Sequence, residues 1–118
     1  MKYLCLVHAA PSAFDSLSEA QSIALTDDSL DYDAELRSRG HLLHAQALQP
    51  PESAVIIRVR DGRMSSSDGP FAETREHLAG FILIEARDLS EAIELAAGIP
   101  MARVGAIEVR PIAELEHS

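Results

Sequence analysis

The chain opens on a run, residues 3–8, in which nearly every position is apolar, and a second such run stands at residues 80–85. Strands that lack polar alternation are covered on both faces, so both runs read as inner strands of a sheet. Between them the rhythm changes. Ser18 with Gln21 three positions on forms a capping box, which starts a helix. Ala20, Ile23, Ala24, Leu30 and Ala34 follow one helical face and are expected to be its buried side. Thr26-Asp27-Asp28-Ser29 could re-cap a second segment, so a kink or break is allowed there. Arg37 and Arg39 suit the C-terminal dipole and Gly40 supplies a left-handed cap. The stretch before the helix, residues 11–15, reads as a loop.

Residues 41–48 form the next strand, closed by Gln49-Pro50-Pro51. Residues 54–60 and 63–67 flank Asp61-Gly62, a strong hairpin signal because a type I′ turn needs positive φ twice. After residues 80–85, Asp88 and Glu91 cap a second helix whose buried stripe is expected at Leu89, Ala92, Ile93 and Ala96. Gly98 and Pro100 end it. The last strand, residues 106–112, alternates, with Ile107 and Val109 pointing one way and Glu108 and Arg110 the other. Without its inserted β-hairpin, this order is βαββαβ, a ferredoxin-like α+β unit with two helices on one sheet face. The inner strands are apolar on both faces, so a second copy of the sheet is expected to cover the other one, giving a homodimer.

Length and composition narrow the class. At 118 residues the chain suits one compact domain, with no apolar run long enough to span a bilayer and no signal-peptide pattern at its start. The single cysteine, Cys5, lies inside the first apolar run and reads as a buried small hydrophobe. A cytoplasmic location fits these features. The formal charge of −9, with ten scattered basic residues and 4% aromatics, argues against nucleic acid.

The densest punctuation is Asp68-Gly69-Pro70-Phe71-Ala72-Glu73-Thr74, followed by Arg75, Glu76 and His77 before the inner strand. This stretch, with the opening Met1-Lys2-Tyr3, Leu48-Gln49-Pro50-Pro51, Val59-Arg60-Asp61-Gly62-Arg63 and Ile107-Glu108-Val109-Arg110-Pro111, resembles the DGPF-domain proteins of the YCII-related family. The resemblance covers nearly the whole chain. It implies a dimeric α+β barrel with a cleft between sheet and loops. Two positions depart from the pattern: His8 stands where relatives carry an aromatic, and Arg75 where they carry lysine. Shorter relatives have been proposed to use a His–Asp pair, and those positions hold Ser29 and Ile99 or Gly98 here, so no catalytic dyad carries over.

Several side chains are candidates for chemistry. His8, at a strand end, could transfer a proton because histidine titrates near neutrality. Asp68 could serve as base or ligand anchor, but its favoured reading is a cap that accepts from the N–H of Phe71 or Ala72. Glu73, Arg75, His44, Glu108 and Arg110 are candidate ligand contacts. The acidic residues Asp27, Asp28, Asp31, Asp33 and Glu35 read as a solvated face. His41 and His44 have no third ligand nearby in sequence, so neither a metal nor another cofactor is expected. Phosphate loops and nucleophile elbows are absent from the sequence. The reading that follows is a small homodimer binding a small molecule in a cleft. A cofactor-free enzyme, by analogy of fold, and an accessory protein in sigma-factor-linked regulation are the alternatives.

Overall fold

The computed structural model describes residues 1–117. Strand β1 (Lys2–Ala9) is followed by a short helix α1 (Pro11–Asp15), the long helix α2 (Glu19–Ser38) and β2 (Leu42–Ala47). Then come β3 (Val55–Arg60), β4 (Arg63–Asp68), β5 (His77–Glu85), α3 (Leu89–Ala97) and β6 (Ala106–Pro111). Two 3-10 turns, Pro51–Ser53 and Pro100–Arg103, punctuate the path. One antiparallel sheet has the order β2-β5-β1-β6, and β3 with β4 make a separate two-stranded hairpin. The chain is a mixed α+β structure with antiparallel sheets and three helices, compatible with the ferredoxin-like path expected from the sequence.

The caps of α2 form as the sequence predicts. The Ser18 side chain accepts from the Gln21 N–H at 3.1 Å and the Gln21 side chain accepts from the Ser18 N–H at 2.8 Å. At the far end Gly40 takes φ +80, and the His41 N–H reaches back to the Leu36 carbonyl at 2.8 Å, closing a Schellman turn. Residues 11–15, expected as a loop, are helical: Pro11 occupies the first turn, where its missing N–H costs nothing and its fixed φ already suits a helix.

The buried face of α2 is not the one its apolar residues indicate. Ile23 is 55% exposed and Leu30 62%, and Ala20, Ala24 and Ala34 are exposed as well. The inward line is Ser22, Leu25, Ser29, Tyr32 and Leu36, with Leu36 only 1% exposed. The far partners decide this. Leu36 packs in the core with Tyr3, Cys5 and Ile84. The Tyr32 hydroxyl donates to the Leu95 carbonyl at 2.6 Å, and its ring lies where a Cβ on Gly98 would stand, so only glycine admits it. The helix runs unbroken through residues 26–29, where a kink was allowed, and Arg103 reaches Asp28 across it at 3.2 Å. In α3 the buried residues are Ala92, Leu95 and Ala96, whereas Leu89 and Ile93, expected inside, are exposed. That inward line continues into Ile99, so the stripe keeps Ala92 and Ala96 as expected but has Leu95 and Ile99 in place of Leu89 and Ile93.

The sheet has two unlike faces. Tyr3, Cys5, Val7 and Ala9 are buried, Tyr3 and Cys5 in the core and Val7 and Ala9 lining a cleft beneath α2. On the other face the register places Leu4 opposite Leu83 and Leu6 opposite Phe81, an apolar centre. Arg110 and Glu108 pair with Leu4 and Leu6 from β6, and His44 and Gln46 with Leu83 and Phe81 from β2, so polar residues flank that centre. Both long helices lie on the opposite side, and the chain is a slab of 47 × 46 × 19 Å. The hairpin stands apart. Its turn has the positive φ angles a type I′ turn requires, 53 at Asp61 and 74 at Gly62. Neither of its strands packs closely on another element.

Candidate functional site

The C-terminal half of α2 packs on the sheet, but its N-terminal half stands away from it. Between them lies an open cleft of about 690 Å³. Its floor is the β2–β5 edge, from Ala45 to Leu48 and from Leu78 to Ile82. Phe14 of α1 and Leu17 close one end, Pro50 and Pro51 another, and Ile99 to Met101 underlie the inner end of α2. Pro50 is extended and Pro51 opens the 3-10 turn Pro51–Ser53, and their fixed φ angles restrict the path of this rim. Gly80 belongs to this floor for a packing reason: a Cβ there would meet the Gln46 carbonyl oxygen at 2.8 Å.

The walls are mainly hydrocarbon, with a polar line along α2 made by Ser22, Thr26, Ser29 and Asp33. These positions stand at i, i+4, i+7 and i+11, which is one face of a helix. Asp33 was assigned to a solvated acidic face; it is half-buried, and burial pushes its carboxyl above the ordinary value, only partly offset by the Arg37 charge. Among the described residues its carboxylate has no hydrogen-bond or ion-pair partner. The sequence carried this signal in the spacing of the polar residues, but the apolar residues at the competing face masked it.

None of the side chains proposed from the sequence as site residues lines this cleft. Three of them meet on the opposite sheet face. His8 Nε2 and Glu108 Oε1 are 2.9 Å apart, and Arg110 pairs with the other oxygen of Glu108. Arg110 first and His8 second hold the Glu108 carboxyl below its ordinary value. Glu108 is therefore a fixed acceptor that orients both neighbours rather than a proton donor. His44 lies across the apolar centre on β2, its ring 6.0 Å from that of Phe81. Asp68, Glu73 and Arg75 are exposed at the end of β4 and in the loop after it.

The cap expected at Asp68 does not form. Asp68 is the last residue of β4, paired with Val55, and no helix follows for it to cap. Gly69, at φ +103, turns the chain instead, and its N–H donates to the Ala54 carbonyl at 2.8 Å. Phe71 then projects to solvent, 78% exposed, under the Arg58 guanidinium at 5.7 Å. The stretch thus closes the base of the hairpin by backbone geometry. Among the described residues no group of three His, Cys, Asp or Glu side chains gathers where a metal ion could sit, and no helix is long and apolar enough to cross a membrane.

An antiparallel sheet with helices on one face and a cleft under the first long helix defines a class of small α+β proteins. Within it, a model of the YCII-related domain matches residues 1–116, and the chain belongs to that family. It is also similar to an uncharacterized protein of Rhizobium meliloti (strain 1021), 41% identical over 76 residues, which is 63% of this chain and 61% of that protein. The chain thus spans about three-fifths of the length of that curated relative. Ser29 and Ile99 both line the cleft, bringing a hydroxyl and a hydrocarbon there.

Proposed function

We propose that this YCII-related protein is a homodimer that binds a small, largely apolar molecule in the cleft beneath α2. The observation that carries the binding reading is the cleft itself. Its volume of about 690 Å³ lies in the range of small-molecule sites, and apolar walls with a few convergent polar groups are their usual chemistry. The test is binding of a hydrophobic reporter dye and of small aromatic alcohols to the native chain and to Ser29→Trp. Ser29 lines the cleft, so an indole there is expected to take up part of its space. Loss of binding with an unchanged melting temperature supports the reading, and unchanged binding overturns it.

The dimer reading rests on the uncovered sheet face. Leu4, Leu6, Phe81 and Leu83 form a continuous apolar centre, and a second copy placed face to face would bury it. The hairpin supports the same partner. It carries Val55, Ile57, Val59 and Met64 on one face, with Ile57 56% exposed, and an isolated two-stranded hairpin is marginal in water. Arg58, Arg60 and Arg63 share its other face, on a chain whose formal charge is −9. A basic arm and an acidic body attract between copies. Light scattering at micromolar concentration should report twice the chain's mass, and Leu83→Glu should halve it; a monomeric wild type would refute this part.

A further inference from the structure

The cleft is asymmetric in charge. Among the described residues its lining holds two carboxylates, Asp33 and Glu52, one histidine, His77, and neither lysine nor arginine. Glu52 is exposed at the rim, whereas Asp33 is half-buried on the inner wall, in line with the hydroxyls of Thr26 and Ser29. A carboxylate partly removed from water is ordinarily satisfied by a donor or a cation. Asp33 has neither within bonding distance; Arg37, one turn further on, forms no ion pair with it.

From this we infer that the occupant of the cleft is an amphipathic monocation, an aromatic or alkyl amine whose ammonium group is received by Asp33 while its hydrocarbon lies on the β2–β5 floor. The inference rests on the cleft being a binding site and adds the charge of what it takes. An ammonium beside Asp33 donates to the carboxylate and can donate a second hydrogen bond to the Ser29 hydroxyl, and it offsets the cost of burying that charge. A carboxylate or phosphate ligand would meet two carboxylates and no lysine or arginine in the lining, so anionic metabolites are selected against. Burial raises the Asp33 carboxyl above its ordinary value, and a cation bound beside it would lower it again.

The test uses three probes of one shape: phenylbutylamine, phenylbutanol and phenylbutanoate, titrated calorimetrically near neutral pH into the full chain and into Asp33→Asn. On the wild type the amine should bind roughly tenfold tighter than the alcohol, and the acid more weakly than either. In Asp33→Asn the amine should fall to the level of the alcohol, with the alcohol unchanged, which also shows that the variant is folded. Amide shifts at Thr26, Ser29 and Ala47 on amine addition would place the ligand. Equal affinity of amine and alcohol on the wild type, or an amine preference that survives Asp33→Asn, overturns the inference and leaves the cleft as a neutral binding site. Failure of all three probes to bind overturns both readings.

Discussion

At the scale of single residues, burial decides what the titratable groups do. Cys5 is fully buried and its thiol is pushed up to about 11 by loss of solvent, so almost no thiolate exists near neutrality. Aromatic disulfide reagents should leave the native chain unmodified and label it once per chain in denaturant. Asp33 is half-buried, and that burial raises its carboxyl. Its raised pKa means that the folded chain holds the proton more tightly than the unfolded one. The contribution of Asp33 to folded stability therefore rises as pH falls from neutrality towards the ordinary value of 3.8, opposite to those of Asp88 and Glu108, whose carboxyls are held low. Asp33→Asn, which cannot ionise, should melt above the wild type near neutral pH, and the gap should close on acidification. A gap independent of pH would tell against burial as the cause. At Asp68, by contrast, no cap exists to lose. Asp68→Ala and Asp68→Asn should both stay within about 0.5 kcal/mol of wild type, the usual span for surface changes.

The elements show how packing selects among faces that the sequence offers. On α2, two stripes compete, one of Ile23, Ala24 and Leu30 and one of Leu25, Tyr32 and Leu36. Only the second meets the core. Leu36→Ala should cost about 2–5 kcal/mol, the range for a buried leucine, while Ile23→Ala should cost less than about 0.5 kcal/mol. Denaturant melts of the two variants check this, and comparable losses would contradict the observed face. Local chemistry at the helix start is independent of that choice. Ser18→Ala removes the acceptor for the Gln21 N–H, and about 1 kcal/mol is expected for such a lost cap.

For the whole molecule, the hairpin is separable from the core that supports the cleft. Residues 54 and 69 are joined by a backbone hydrogen bond of 2.8 Å, so the two ends of the insertion already touch. Replacing residues 55–68 with a short Gly-Ser link should leave a folded chain that still binds the cleft probes, since the hairpin packs closely on no element that lines it. If the proposed dimer uses the hairpin as its arm, the same deletion should also weaken self-association. Thermal melts and sedimentation read the two effects separately. A deletion that unfolds the chain would show that the hairpin holds the core together.

Much of this architecture was legible in order along the chain. Continuous apolar runs marked the central strands, Ser18–Gln21 and Gly40 marked the ends of α2, and Asp61-Gly62 marked the hairpin, because each is a local signal carried by backbone chemistry within a few residues. Pro11 also carried a helix-start signal, but a five-residue helix is too short for periodicity to reveal. What only the tertiary structure decided is which face of α2 turns inward and what it encloses. Tyr32 fits over Gly98 and Leu36 under Tyr3, contacts between residues far apart in sequence, and that rotation brings Ser29 and Asp33 from an apparently solvated helix into the wall of a cleft. Of the side chains that looked chemical, Glu108 and Arg110 were expected on one face of the last strand and lie there, beside His8 of the first strand. The sheet order then set that face away from the cleft, because strand alternation sends neighbouring residues to opposite sides and the helices chose the side of Cys5 and Val7.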